Sequence, residues 1–172
     1  MKVEDISKFE ELNPSLSVNV FGYENKEVFP LRVTRHKERT THVNLLLLTS
    51  PQGKNHYVLV QNLSRLLSHM TKHESTSYYC NFCLCRFSSE NMLKTHTCST
   101  PLPTPRSYNL KLNKTVGISS YIPTPSKIKH ANKGLVNILN PHDKKLFLWS
   151  ILAALHPQII INLITTSRIN TL

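Results

Sequence analysis

The sequence predicts an α+β fold: a small antiparallel sheet with one or two helices, an appended ββα unit, a Pro-rich linker and a C-terminal helix. Three observations predict it. Residues 16–34 alternate β-branched and aromatic residues around Gly22 and Asn25, the pattern of a β-hairpin. Two short apolar runs, VNLLLL (43–48) and HYVLV (56–60), flank the turn-rich TSPQGKN and predict a second hairpin. After Asn62 the spacing becomes helical, with Leu63, Leu66, Leu67 and Met70 on one side and Ser64 and Arg65 outward.

Taken in order, the first hairpin turns around Glu24, Asn25 and Lys26. The basic stretch over 35–42, RHKERTTH, reads as a solvated loop. The runs of the second hairpin do not alternate, so both faces are expected to be buried at the centre of the sheet. Residues 99–133 hold five Pro and no acid and read as an extended, partly disordered linker. LFLWSILAAL, residues 146–155, reads as a helix stopped by His156 and Pro157. The apolar stretch over 146–164 is long enough to raise a membrane span, but His156, Pro157, Gln158 and Asn162 interrupt it. The expected organisation is a small α+β domain over 1–77, the ββα unit over 78–98, the linker over 99–133 and a C-terminal helical segment over 134–172.

A chain of 172 residues can hold one ordinary domain, or a small domain with appendages. Its formal net charge of +11 is uneven. Residues 1–30 carry three Lys against six acids, whereas the rest carries 18 Lys/Arg against four acids. Such a basic body suits an anionic partner, nucleic acid first, with plain solubility as the alternative. The opening MKVEDISKFEEL has neither an apolar core nor an Arg-rich amphipathic pattern. No targeting signal is therefore expected, and an intracellular location, nuclear or cytoplasmic, is.

All four Cys lie within residues 80–98, which points away from a disulfide framework and towards a metal site in a reducing compartment. The segment YYCNFCLCRFSSENMLKTHTC places Cys80 and Cys83 two residues apart, with twelve residues between Cys83 and His96. That is the spacing of a ββα zinc finger. Phe87, Leu93 and Tyr78 occupy the positions where such fingers keep their few core and aromatic residues. A unit this small cannot bury enough apolar surface to fold alone, so Zn2+ supplies the missing free energy. The fourth ligand is read as Cys98, giving the set Cys80, Cys83, His96 and Cys98. One residue between His96 and Cys98 allows both to bind only if the helix ends at His96 and the chain turns back. Cys85, and His69 with His73 on an i, i+4 face, are the rivals for that position.

The helix positions that would meet bases fall on Ser89, Met92 and Thr95, and none offers a bidentate contact. Binding to protein, or non-specifically to nucleic acid, is the expected use of the finger. With only Asp5 and Asp143 as aspartates, no carboxylate pair could hold two catalytic metals. No small-molecule substrate and no enzymatic activity are expected.

Residues 4–98 and the block GLVNILNPHDKKLFLWSILAALHP (134–157) resemble a module of large self-synthesising DNA transposons of the Polinton or Maverick type, where it accompanies protein-primed family B DNA polymerases. In such relatives the second block precedes the first. The blocks also resemble, more distantly, papain-like cysteine peptidases of the ovarian-tumour type. That resemblance would make His56 the partner histidine and the helix over 146–155 the nucleophile helix. Leu146 stands where relatives carry Cys, which implies a degenerate peptidase without its covalent chemistry.

Overall fold

The computed structural model describes residues 2–68, 77–98, 121–128, 134–138 and 145–158. Its centre is a mixed five-stranded sheet in the order β2-β1-β3-β4-β7, formed by β1 (Leu16–Glu24), β2 (Glu27–Arg32), β3 (Thr41–Thr49), β4 (Asn55–Val60) and β7 (Leu135–Val136). β5 (Tyr78–Tyr79) and β6 (Arg86–Phe87) make a separate two-stranded sheet. The helices are α1 (Ile6–Leu12), α2 (Leu63–Ser68), α3 (Glu90–Thr95) and α4 (Leu146–Leu155). The fold is α+β.

The first hairpin closes through a two-residue turn in which Asn25 and Lys26 have φ of 51° and 67°. Left-handed backbone at both positions matches the twist of the flanking strands, and Asn tolerates it better than most residues. β3 and β4 pair antiparallel from Asn44↔Val60 to Thr49↔Asn55, with β3 at the middle of the sheet.

One pairing departs from the expected antiparallel sheet: β1 and β3 run parallel, from Leu16↔Thr41 to Gly22↔Leu47. The chain leaves β2, passes the end of β1 through residues 33–40 and enters β3 on the far side of β1. Both strands therefore start at the same end. The crossing segment is also not a simple solvated loop. Arg39 donates to the carbonyls of Glu10 and Leu16 (2.8 and 2.6 Å), and the buried Thr34 N–H donates to Asn19 Oδ1 (2.8 Å).

The two sheet faces bury different material. On the first, Leu16, Val18, Val20, Val43, Leu45, Leu47, Tyr57 and Leu59 meet Ile6 of α1 and Phe147, Ile151 and Ala153 of α4 in one apolar cluster. Phe147 anchors it with edge-on ring contacts to Phe9 (5.2 Å) and Tyr57 (5.3 Å). Ser150, buried in α4, donates to Tyr57 O (3.1 Å) and leaves no polar group stranded there. α4 stops where expected: His156 N–H closes the last turn on Leu152 O, and Pro157 follows. α1 is tied down by Glu10, whose buried carboxylate accepts from Val18 N–H (2.7 Å) and from Arg32 (2.6 Å). Burial alone would push that carboxyl up; the Arg32 and Val18 hydrogen bonds and the Arg32 charge outweigh it and hold Glu10 below its usual value.

The second face is divided. One half is apolar: Phe21, Leu46, Leu48, Val58 and Val60 pack under Leu63 and Leu66 of α2 and under Ile128, with Ile122 beside it. Residues 121–128, expected within the linker, thus contribute to the core. Residues 134–138, expected to open a separate segment, add β7 to the edge of β4. Gly134 permits this junction. Its φ is +65°, a Cβ there would lie 2.8 Å from Asn62 Cβ, and its carbonyl accepts from Gln61 N–H (2.7 Å). The other half of the face carries Ser17, Asn19, His42 and Asn44, and the unit over 78–98 lies against it. Met70, most of the linker and residues beyond 158 lie outside the described residues. Among the described residues, no helix is long and apolar enough to cross a membrane.

Candidate metal centre

The unit over 78–98 is built as a ββα finger. Tyr78 pairs with Phe87 and Tyr79 with Arg86, and α3 follows with Ser89 as its N-cap, accepting from Met92 N–H (3.3 Å). Between the strands the chain folds tightly: Leu84 N–H donates to Cys80 O (3.0 Å), Cys80 N–H donates to Cys85 O (3.1 Å), and Leu84 takes φ of 57°. The turn aims backbone N–H groups at sulfur, with Phe82 N–H 3.4 Å from Cys80 Sγ. Such N–H groups favour a thiolate, and so a metal ligand.

α3 ends at His96, whose backbone turns to φ −68°, ψ 118° while its N–H bonds Leu93 O (3.3 Å). This is the condition that the short His–Cys spacing demands. Past it, the extended chain brings Cys98 round to the same point as His96. One ligand atom from each of Cys80, Cys83, His96 and Cys98 lies within 4.8 Å of all the others, and Cys83 Sγ is 3.2 Å from His96 Nε2. A tetrahedral ion with sulfur and nitrogen ligands separates them by about 3.5–3.8 Å. Shifts of a fraction of an ångström would close the group on an ion, so it can hold one.

Electrostatics favour the same use. Burial alone would raise the Cys80 thiol, yet the N–H groups of Cys83 and Phe82 bring it below its usual value. Cys83 and Cys98 are pushed up, first by burial and then by neighbouring sulfur. Three thiols this close resist ionising together until a cation neutralises them. Of the rivals, Cys85 is exposed and outside the cluster, and His69 and His73 lie outside the described residues.

The finger is positioned by the polar half of the sheet. Asn19, 0% exposed, has its amide nitrogen 2.6 Å from Asn81 O, 3.1 Å from Asn44 Oδ1 and 3.1 Å from His42 Nε2. Asn44 in turn donates to Asn81 Oδ1 (3.2 Å), and the His42 ring lies on Phe82 with centroids 5.0 Å apart. The Thr34 N–H on Asn19 Oδ1 fixes that amide, so His42 Nε2 accepts and His42 Nδ1 carries a proton for Ser17 Oγ (2.8 Å). His42 is thus a neutral imidazole, and burial holds it below the usual His value. Lys37 donates to Cys98 O, and Tyr79 N–H donates to Ser64 Oγ (3.1 Å).

No family model, curated protein or solved structure matches the chain. The site therefore rests on its geometry.

A second polar group lies at the start of β4. His56 is 0% exposed, and its Nε2 bonds Asn137 Oδ1, just past β7. Asn137 has its own amide committed to Ile122 O (2.9 Å) and Thr124 Oγ1 (2.8 Å), so its oxygen faces His56 and Nε2 is the protonated nitrogen. His56 Nδ1 is then a buried lone pair without a hydrogen-bond partner. Leu146, fully buried, opens α4.

Sequence reasoning found the four clustered residues and His56 but missed Asn19, His42, Asn44, Asn81 and Asn137. Four of these five, all but Asn137, join the finger to the sheet. The available signal was a polar residue at every second position, Ser17/Asn19 and His42/Asn44, in two otherwise apolar strands.

Proposed function

We propose that this chain is a zinc-binding interaction module rather than an enzyme, with one Zn2+ on Cys80, Cys83, His96 and Cys98. The observation that carries the reading is the approach of those four ligand atoms to within 4.8 Å of one another. Three thiolates and an imidazole suit zinc among the divalent ions of a cell. Its role is structural, since no ligand position is left open for a substrate. Kinship with self-synthesising transposon proteins belongs to the same proposal.

Protein is the partner that the outer surface of α3 favours. Met92 is 52% exposed there, Lys94 is paired with Glu90 (2.7 Å), Ser89 is spent on capping, and Thr95 bonds back to Asn91 O. Little is left to hold phosphate or read a base. Basic residues away from α3 are left for phosphate contact, and the sequence over 99–133 carries six Lys/Arg and no acid.

Zinc analysis of the purified chain tests the reading. One zinc per chain is expected. Cys98→Ser is expected to weaken binding by more than the roughly 10–100-fold that losing an outer-sphere partner costs, and Cys85→Ser to leave it unchanged. A native chain without zinc contradicts the proposal.

One observation favours a second reading, a peptidase fold that has lost its nucleophile: the unpartnered Nδ1 of His56, oriented by Asn137. In a Cys85→Ser background, a Leu146→Cys thiol that alkylates well below the usual cysteine pKa of about 8.5, and no longer does so after His56→Ala, would support it. An inert or ordinary thiol would count against it.

A further inference from the structure

We propose that the metal centre is a latch on the sheet: zinc holds the finger over Ser17, Asn19, His42 and Asn44, so that zinc occupancy sets the stability of the whole sheet domain and not of the finger alone. This rests on the zinc reading above.

The latch follows from where the docking atoms sit. Asn81 and Phe82 are the two residues between Cys80 and Cys83, and they make the main contacts with the sheet through the Asn81 carbonyl and amide and the Phe82 ring. Their conformation is set by the turn that presents both sulfurs to the ion. Cys98, the last of the four clustered residues, supplies the carbonyl that accepts from Lys37 of the crossing loop. Docking and metal ligation therefore order the same residues.

The finger has little else to hold that turn. α3 buries none of its residues, and the deeply buried finger side chains are those of Cys80 and Cys83 themselves. Without the ion, the half-buried Leu84 still packs on the apolar half of the face, but that single contact has to hold a left-handed backbone and a cluster of thiols in place. The sheet side is equally committed. Asn19, Asn44 and Ser17 lie on interior strands, buried, and an amide there that loses its partner is left either dry and unsatisfied or newly wetted beside the apolar half of the face. Whatever binds the folded finger must then stabilise the sheet, and a stable sheet must tighten zinc.

The sole Trp, Trp149, is a half-buried residue of α4, the helix whose Phe147 and Ile151 pack on the opposite face, so it reports on that side of the molecule rather than on the finger. Urea unfolding followed by its fluorescence is compared for the full chain loaded with zinc and stripped with chelator. Stripping is expected to lower the midpoint by roughly 1 M, and added zinc to restore it. In the double variant Asn81→Ala with Phe82→Ala, which removes the docking amide and ring but keeps all four ligands, zinc is expected to bind one per chain while at least half of the zinc-dependent shift is lost. Amide exchange gives a readout that needs no variant: stripping should speed exchange of the Thr34 N–H, held by Asn19. One zinc per chain with an unchanged midpoint and unchanged Thr34 exchange overturns the latch and leaves the zinc reading standing. A chain that takes up no zinc overturns both.

Discussion

The two faces of the central sheet are made by the same strands yet held down by different physics. On the first, Val18, Leu45 and Tyr57 meet Phe147 and Ile151, and burial of apolar surface suffices. On the second, one part of the face is Ser17, Asn19, His42 and Asn44, and its cover is the finger, with no deeply buried side chain beyond two cysteines. A dry face tolerates any well-fitting apolar cover. A polar face requires one that returns each hydrogen bond at a fixed place, and a metal-clamped turn can supply such rigidity in about twenty residues.

The comparison is broken most forcefully on the apolar side. Phe147→Ala is expected to destabilise the sheet by about 3–5 kcal/mol with zinc affinity of the folded chain unchanged, read by denaturant unfolding and by zinc titration. Asn19→Ala, on the polar side, is expected to cost less, about 1–3 kcal/mol, but to weaken zinc binding as well. Equal effects of both variants on zinc would erase the distinction between the faces.

Acid sharpens it further. His42 and His56 are both largely buried, and burial holds both below the ordinary His value of 6.5. The unfolded chain then takes up protons near 6.5 that the folded chain refuses, so it binds more protons in that window and stability falls as the pH drops below about 6.5. Histidine ring signals titrating at or above 6.5 for these two residues would contradict this. The smallest effect is expected for Met92→Ala on the exposed face of α3, within about 0.5 kcal/mol. Loss of a partner protein without loss of stability in that variant would mark α3 as the contact surface.

Much of this was legible in the sequence, for reasons tied to particular residues. The Asn25 turn, the paired apolar runs of β3 and β4, and the stop at Pro157 are local signals that tertiary structure had no cause to override. The finger was legible because ligand spacing constrains the chain more tightly than hydropathy does. Other features were hidden. α1 spans seven residues, too few to display a period around Ile6 and Phe9. The parallel pairing of β1 with β3 joins segments whose own patterns say nothing about partners. Asn19 sits in an alternating strand and looks solvent-facing, whereas Asn44 is a lone polar residue in a run expected to be buried on both faces, with nothing local to name its partner. Only the finger, folding back from about sixty and forty residues further along the chain, makes them interior. β7, with two residues, carries no pattern at all.

Cobalt substitution tests the central claim most directly, because Co2+ reports ligand number and type in its visible and near-ultraviolet absorption. The native chain is expected to give the intense d–d bands of a tetrahedral site together with thiolate charge transfer from three sulfurs, and Cys98→Ser to lose one sulfur's share of that charge transfer. Weak octahedral bands in the native chain, or a Cys98→Ser spectrum identical to it, would contradict a centre built from Cys80, Cys83, His96 and Cys98.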